Sequence, residues 1–459
     1  MTRGERQTPM NRHLNIGAGV PLLLAIVVAG CSSILDVKPT NEIASGRAIV
    51  DGPSARAALH GAYDALQSLS YYGEDFVIYG DLSADNVSHT GTYSTYADAG
   101  ANRLKSTHGD IALMWEVIYD GINRTNEILA KVPPVPLLSD TERAQILGEA
   151  HFLRALHYHN LVKLWGDVPI VTEPVTNIGE ASKIERASTA AVYDQINDDL
   201  AQAEQLITDE SNTRQGTVGA VKALQARVRL YQRDWQGAER AADSVAAMGY
   251  TLAPEYANLF TANGSDTPED IFRVIFTAED ATYLGYLYLA KGSPWGGRRE
   301  IAPLPGLIDS YEAGDARKAW SISYDGSDRA FGSKYPTSLG AEHPHVIRFA
   351  EVILIRAEAL ARQGKLEDAV EEYNKLRVRA KISPHVYGTN VTTQDEVIDA
   401  ILQERRVELA FEGDRWPDLN RNGLTVATLG LPADRAYQVL YPIPQRERDV
   451  SSLSQNPGY

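Results

Sequence analysis

Cysteine is almost absent from this chain of 459 residues, whose single thiol, Cys31, leaves no possibility of an internal disulfide. Basic residues are also in the minority, because 44 Lys and Arg stand against 60 Asp and Glu, a formal net charge of −16. Nucleic-acid binding depends on basic side chains that neutralise phosphates, so this balance argues against a nucleic-acid partner. No HExxH, CxxC or GxSxG pattern and no phosphate-binding loop occurs. We therefore expect neither a metal site nor a cofactor.

A long hydrophobic run is missing as well. The apolar stretch Val20–Ala29 is about half as long as a transmembrane helix and contains Pro21, so a permanent membrane span is not expected. Arginines precede this stretch and small residues follow it, which is the order of a secretory signal peptide. Residues 1–30 are therefore predicted to be a cleaved signal.

The lone cysteine follows that signal directly. The letters "VAGC" that end at Cys31 resemble a bacterial lipobox, in which the cysteine receives a diacylglycerol before cleavage. Lipid chains on the first mature residue would hold the protein at a membrane. We expect lipidation at Cys31 and a polar tether over 31–52, and an ordinary cleaved signal with an incidental cysteine is the alternative.

Helical periodicity dominates the remaining chain. Helices are predicted from about Pro53, over 111–131, over 139–164 with Ser139 and Glu142 as a capping box, and from about Ser188. The stretches "TVGAVKALQARVRLYQRD" and "WQGAERAADSVAAMG" predict a helical hairpin. A second hairpin follows in "ILIRAEALARQGKLEDAVEEYNKLRVRA", whose length of about 34 residues is typical of a tetratricopeptide unit.

These patterns predict a mostly α fold, a tetratricopeptide-like helical-hairpin scaffold with few short strands. Superposing the two hairpins aligns Ala238 with Ala369. Two segments, residues 250–345 and "SYYGEDFVIYGDLSADNVSHTGTYSTYADAG", lack helical period, although "DIFRVIFTA" within the first is typical of a strand. Long irregular segments on a rigid scaffold often carry function, so an irregular, loop-rich ligand-binding face is expected there.

Three carboxylates in "ERRVELAFEGDRW" invite an enzymatic interpretation, because paired carboxylates serve as general acid and base in glycosidases. Glu404, Glu408 and Glu412 recur at four-residue spacing. The same spacing permits a structural ion-pair network with neighbouring arginines, for which we considered Arg405, Arg406 and Arg415. The apolar stripe on both sides of Arg405 predicts that this arginine is buried with a partner.

The histidines and most tryptophans are predicted to be structural. His157 and His159 are two residues apart and face different sides of a helix, and His343 and His345 flank a proline in an expected loop. Four tryptophans lie in or at the ends of helical motifs and are expected in the core: Trp115, Trp165, Trp235 and Trp416.

Several motifs together resemble the RagB/SusD family of outer-membrane lipoproteins and occur in the order expected for it. They are the lipobox, "MWEVIYDGINRTNEIL", "EAHFLRALHYHNLVKLWGDVPIV", "EVILIRAEALARQG", "ILQERRVELAFEGDRWPDLNR" and "YPIPQRERDVSSLSQNPGY". The resemblance implies a single domain over 53–459, with an N-terminal part over about 53–250 and a C-terminal part over about 265–459.

The resemblance also implies a function. Members of this family face the outside of the cell on the outer membrane, bind glycans or sometimes peptides without cleaving them, and deliver them to a SusC-like TonB-dependent transporter. A surface glycoside hydrolase and a tetratricopeptide-like adaptor that binds a periplasmic protein are the alternatives. The tether carries only one acid close to Cys31, which leaves periplasmic display open.

Ligand-binding residues are expected among loop aromatics beside polar side chains. A sugar ring offers its apolar C–H face to an aromatic ring, while its hydroxyls pair with Asp, Asn and Arg. Ordinary loop packing is the alternative for each residue. The candidates are Trp295 with Arg298 and Arg299 nearby, Tyr93 and Tyr96 beside Asp85 and Asn86, and Trp320.

Overall fold

The computed structural model describes most of the chain from Ile49 onward, and Ile49–Tyr459 form one compact unit. Cys31, the signal, nearly all of the tether and Trp295 lie outside the described residues. Among the described residues, no helix combines the length and the apolar character that a membrane crossing requires. The described residues are 49–175, 179, 182–210, 212–261, 264–292 and 296–459.

Helices make up most of this unit, as the periodicity predicted. In chain order they are α1 Gly52–Asp64, α2 Asp75–Leu82, α3 Ser94–Gly100, α4 Gly109–Lys131, α5 Asp140–Trp165, α6 Thr189–Leu206, α7 Val218–Tyr231, α8 Trp235–Ala246, α9 Leu284–Tyr288, α10 Pro305–Asp309, α11 Ala316–Ser321, α12 Phe349–Arg362, α13 Leu366–Arg379, α14 Gln394–Glu408, α15 Arg415–Arg421, α16 Thr425–Leu429 and α17 Gln445–Val450. Short 3₁₀ helices in the described part of the chain cover Ala65–Gln67, Tyr256–Leu259 and Ala433–Val439.

The strands are short and pair only as antiparallel two-stranded ribbons within the described part of the chain. The pairs are β1 Val87–His89 with β5 Ile301–Pro303, β2 Val168–Pro169 with β3 Arg186–Ala187, β4 Asp270–Arg273 with β8 His345–Arg348, and β6 Ile322–Tyr324 with β7 Ala330–Gly332.

Side-chain caps explain where several helices begin. The hydroxyl of Ser139 accepts from the N–H of Glu142 at 3.2 Å, so Ser139 is the N-cap of α5 as predicted. The predicted capping box does not form, because the Glu142 carboxylate pairs with Arg56 instead. Complete capping boxes begin α1 at Asp51 and α14 at Thr393.

The two predicted hairpins are confirmed as α7 with α8 and α12 with α13, and α12 packs against α8. Ala238 and Ala369 occupy equivalent positions three residues after each second helix begins, and both are fully buried. Gly364 makes the turn of the second hairpin with φ +80°, a conformation that glycine adopts without strain. The scaffold is therefore tetratricopeptide-like in the predicted positions.

The segment over residues 70–100 is more regular than its sequence suggests. All eight residues of α2 are buried, so this helix has no polar side and shows no amphipathic period. Gly80 makes the burial possible, because a Cβ at this position would overlap the backbone of Gly413. The prediction of irregular structure over this whole segment was therefore wrong at α2 and α3.

Candidate functional site

The β1–β5 ribbon brings together two segments that are more than two hundred residues apart. Ser88 pairs with Ala302, and the N–H of Thr90 donates to the carbonyl oxygen of Glu300 at 2.8 Å. The loop that follows β1 and the loop that precedes β5 consequently lie side by side. Tyr93 and Arg298, two of the predicted ligand-binding residues, come from these two loops.

The carboxylate of Glu300 fixes both loops. It accepts from the backbone N–H groups of Thr92 and Tyr93, each at 2.5 Å, from His89 Nε2 at 2.9 Å and from Arg298 Nε at 2.8 Å. Burial acts to raise the pKa of Glu300, but these hydrogen bonds hold it below its ordinary value. Glu300 is therefore a charged support beneath the candidate site.

The guanidinium of Arg298 lies over the ring of Tyr93, with 4.3 Å between the guanidinium carbon and the ring centroid. Its Nη2 donates to the hydroxyl of Thr92 at 2.6 Å. Hydrogen bonds to Tyr286 and Glu300 raise the pKa of Arg298, so the cation is permanent. Tyr93 keeps 38% of its surface exposed, which leaves an aromatic ring and a fixed cation available at the surface.

The neighbouring Arg299 extends the candidate site toward the β6–β7 ribbon. Its Nε donates to the carbonyl oxygen of Ala330 at 2.9 Å, and Ala330 is the register partner of Tyr324. Tyr324 is 53% exposed. We name Tyr93, Tyr286, Arg298, Arg299 and Tyr324 the aromatic surface.

The other predicted residues near Tyr93 face inward. Tyr96 is 2% exposed and donates its hydroxyl to Glu74 at 2.5 Å. Asn86 is 1% exposed and donates to Asp81 at 2.6 Å. Asp85 accepts from Arg415 Nε at 2.7 Å and forms an ion pair with Arg406 at 3.0 Å. Their positions suit supporting the loop rather than touching a ligand.

The two remaining tryptophans of interest are half-buried. Trp320, on α11, packs against a small cluster that includes Tyr256 and Phe260. Trp235, predicted to be a core residue, instead begins α8 at the edge of the core, with the guanidinium of Arg362 at 5.6 Å from its ring. Trp115, Trp165 and Trp416 are buried as predicted.

The carboxylates that suggested an enzyme are enclosed and paired. Glu404 accepts from Arg317 at 2.5 Å, Glu408 from Arg348 at 2.6 Å, and Glu412 from Lys334 at 2.7 Å. Burial acts to raise the pKa of Glu412, but Arg348 and Lys334 lower it to about 2. Groups held in this way have no room for a substrate, so they act as structural ion pairs.

The partners of these carboxylates differ from the arginines we considered. Arg406 and Arg415 contact Asp85, and Arg405 donates to Asp418 at 2.6 Å and to Glu351 at 3.2 Å. The helix ends at Glu408, so Glu412 does not share its face. The expected network exists, and Arg405 is buried with partners as predicted, but segments distant in sequence supply the cations for the glutamates.

The histidines are mostly internal. His157 and His159 are fully buried, and burial lowers the pKa of His157 to about 3. His345 is not in a loop, since it begins β8 and contacts Asp270 at 2.7 Å. The described residues contain no group of three or more His, Cys, Asp or Glu side chains that could hold a metal ion.

Two cavities of the described part of the chain are lined by residues outside the aromatic surface. A cavity of about 330 Å³ is lined by His60, Tyr63 and Arg214 among others, and an apolar one of about 270 Å³ by Trp115, Tyr119 and Leu453 among others. Neither contains Tyr93 or Arg298.

Comparison with known proteins gives the same family from sequence and from fold. Residues 332–437 match the model of the SusD family, and residues 35–230 match a model described as starch-binding associating with outer membrane. SusD-like protein P2 of Formosa agariphila is 26% identical over 95% of this chain and 98% of its own length. Starch-binding protein SusD of Bacteroides thetaiotaomicron is 25% identical over 70% of this chain and 74% of its own.

Solved structures show a similar fold. A laminarin binding SusD-like protein superposes with a TM-score of 0.79 at 26% identity, covering 89% of this chain and 100% of the other. Surface glycan-binding protein A from Bacteroides fluxus superposes with a TM-score of 0.77 at 23% identity and covers 89% of this chain and 100% of its own. At this identity the similarity shows the fold alone. The chain belongs to the SusD/RagB family.

Proposed function

We propose that this protein binds glycans at the aromatic surface and delivers them to a SusC-like TonB-dependent transporter of the outer membrane. It acts as a non-catalytic capture protein, held by lipid on Cys31 and facing the outside of the cell. Peptides are a second possible ligand class. The observation that carries the proposal is the exposed ring of Tyr93, fixed under Arg298 by a buried carboxylate.

The chemistry of this surface supports a carbohydrate ligand. Tyr93 and Tyr324 offer exposed rings to the apolar faces of sugars, and the guanidinium groups of Arg298 and Arg299 offer N–H donors to hydroxyl oxygens. Because Arg298 is already bonded to Glu300 and Thr92, little side-chain freedom is lost when a ligand binds. The names of the relatives, which include a starch-binding and a laminarin binding protein, support the same ligand class.

A direct test uses two tyrosines of equal exposure. Tyr93→Ala should weaken binding to the best ligand of a glycan panel by about fivefold or more, since stacking on an aromatic ring contributes about 1 kcal/mol. Tyr387→Ala is the matched control, because Tyr387 is also 38% exposed but lies in the loop after α13. Isothermal titration calorimetry measures both. An equal loss in the two variants would place the ligand elsewhere.

The same panel tests the enzymatic alternative. Retention of glycans without release of shorter products is expected, because the candidate carboxylates are enclosed ion pairs. Shorter products, followed by chromatography over long incubation, would show that the protein is a hydrolase.

Anchoring and display need their own experiments. A Cys31→Ser variant should no longer fractionate with the outer membrane, because the thioether that carries the lipid cannot form. Protease added to intact cells should degrade the wild-type protein. Survival of the protein under that treatment would favour the periplasmic adaptor, and co-purification of the wild-type protein with a large TonB-dependent barrel tests the transporter partnership.

A further inference from the structure

A second candidate site lies in the helical scaffold, where the ends of several helices meet. Its cavity has a volume of about 250 Å³. The helices α7, α12 and α15 end beside it and α8 begins there. We name it the arginine pocket, and its lining residues are Leu230, Arg233, Trp235, Arg362, Arg421 and Asn422.

Arg421 forms a rigid wall of the arginine pocket. Its two terminal nitrogens donate to the Glu358 carboxylate at 2.8 and 2.7 Å, and its Nε donates to Asp418 at 2.8 Å. The ring of Tyr231 lies 5.6 Å from its guanidinium carbon. Every nitrogen of Arg421 is therefore engaged, and its position is fixed by buried partners.

Arg362 is less fully paired. Its Nη2 donates to Asn422 at 2.7 Å and lies 3.5 Å from Glu358, a carboxylate that Arg421 already occupies. Its guanidinium also stacks against Trp235 at 5.6 Å. Arg362 thus adds a second cation to a carboxylate whose charge is already neutralised.

Arg233 has no carboxylate partner among the described residues. The only hydrogen bond of its side chain there runs from Nη2 to the carbonyl oxygen of Arg421, at 3.3 Å. Three guanidinium groups consequently line a cavity that has two carboxylates nearby, Glu358 and Asp418. Asp418 also accepts a hydrogen bond from Arg405, outside the pocket lining. The arginine pocket carries an excess of positive charge on a chain with a net charge of −16.

We propose that the arginine pocket binds a small oxyanion, either the carboxylate of a sugar acid or a sulfate group. Guanidinium groups recognise both through paired N–H donors, and the indole of Trp235 supplies an apolar wall beside them. The volume suits one ring-sized group rather than a chain. This site shares no residue with the aromatic surface, so it does not depend on the glycan-binding proposal.

A purely structural role for these arginines makes a different prediction. Cations near helix C-termini offset the partial negative charge of the last carbonyl groups, and that role needs no ligand. It would produce general salt effects without saturation. A saturable signal that depends on Arg233 separates the two roles.

The test follows tryptophan fluorescence of the full-length protein in detergent while sodium sulfate or sodium glucuronate is added at constant ionic strength. Glucose and sodium chloride are the neutral and non-specific controls. We expect a saturable change with one or both oxyanions and none with glucose. Trp235→Phe should remove the change, because Trp235 is the tryptophan that lines the pocket.

Two variants that each remove one positive charge test whether the oxyanion binds in the arginine pocket. Arg233→Gln should weaken the oxyanion affinity about tenfold, the usual effect of losing one charge-assisted hydrogen bond. Arg229→Gln should leave it unchanged, because Arg229 pairs with Asp234 outside the pocket. Arg233→Gly, which suits the φ of +60° at this position, guards against misfolding of the first variant and should lose the same affinity.

The outcomes are distinct. Saturation by sulfate alone or by glucuronate alone supports the proposal and identifies the source of the oxyanion. A linear response, an equal response to chloride, or an equal loss in the Arg229 and Arg233 variants would overturn it. None of these results depends on whether Tyr93→Ala alters glycan binding.

Discussion

Arg348 and Glu408 form an ion pair that is closed off from solvent on every side, with 2.6 Å between Nη1 and Oε1. Arg348 belongs to β8, whereas Glu408 is the last residue of α14. Arg348 also bonds Glu269 at 2.7 Å and Glu412 at 2.8 Å. This pair is the centre of a buried network that ties the C-terminal helices to the β4–β8 ribbon.

Glu408→Gln should destabilise the fold by about 3–5 kcal/mol, because it leaves buried guanidinium groups without their counter-charge. Burial acts to raise the pKa of Glu408, but Arg379, Arg348 and Arg317 hold it well below its ordinary value. Urea unfolding measures the free energy. The control is Glu255→Gln, which breaks an exposed pair with Lys381 and should cost less than about 1 kcal/mol. Similar losses in both variants would show that the network adds no stability.

Glu149 should make the protein less stable in alkaline than in mildly acidic solution. Burial raises the pKa of Glu149 to about 7, although Tyr63 and Gln145 donate hydrogen bonds to it. The folded state then binds a proton that the unfolded state has released, so the stabilisation is lost as pH rises through about 7.

Glu149→Gln removes this effect, since an amide keeps the neutral shape at every pH. Stability should exceed that of the wild type by on the order of 2 kcal/mol at about pH 8 and match it below about pH 4.5. Thermal unfolding across this range measures the difference. A constant difference between the two proteins at all pH values would mean that the carboxyl stays charged when folded.

Gly80 and Gly61 should respond oppositely to alanine. Gly80→Ala places a methyl group against the backbone of Gly413, in the turn between α14 and α15, and should cost about 2 kcal/mol or more. Gly61, on α1, has open space around its Cβ position, so Gly61→Ala should add about 0.5–1 kcal/mol. Urea denaturation of both variants gives the comparison. If Gly80→Ala were neutral, α2 would not pack as closely as described.

Glu300→Gln should weaken glycan binding without altering any group that touches the ligand. An amide can still accept from the backbone of Thr92 and Tyr93, but its NH₂ then opposes Arg298 Nε, which releases the guanidinium from the ring of Tyr93. We expect about a tenfold loss of affinity, measured by calorimetry.

A double variant distinguishes positioning from a general loss of structure. If Glu300 acts through Arg298 and Tyr93, Glu300→Gln should remove little further affinity from a Tyr93→Ala protein. Fully additive losses would show that Glu300 acts by another route. Thermal unfolding of each protein checks that the fold persists.

The scaffold could be predicted because it depends on local spacing. Both helical hairpins carry their apolar residues at helical intervals. Glycines with positive φ mark the end of the first hairpin, at Gly249, and the turn of the second, at Gly364. The cations that serve Glu404 and Glu408 could not be predicted. Arg317, Arg348 and Arg379 come from separate segments, and no local pattern records which distant side chains will meet.

The types of residue in the candidate site could be predicted from the sequence, but which of these residues are exposed could not. Tyr93 and Tyr96 are equivalent in sequence, yet only the first reaches the surface, because the hydroxyl of Tyr96 finds Glu74 and Asp75 inside the protein. Tyr286 and Tyr324 were missed, although "TYLGYLYL" and "SISYDG" lie within the irregular segment that we expected to carry the ligand. Nothing in the sequence marks Glu300 as a site residue except its position directly after two arginines.

The β1–β5 ribbon also determines when the aromatic surface can form during folding. Because His89 and Tyr93 lie early in the chain and Arg298 and Glu300 lie late, no fragment that lacks either region can assemble the aromatic surface. The aromatic surface would therefore form only after this long-range pairing of β1 with β5. Under the proposed function, glycan binding would therefore require a molecule in which both regions of the chain have folded.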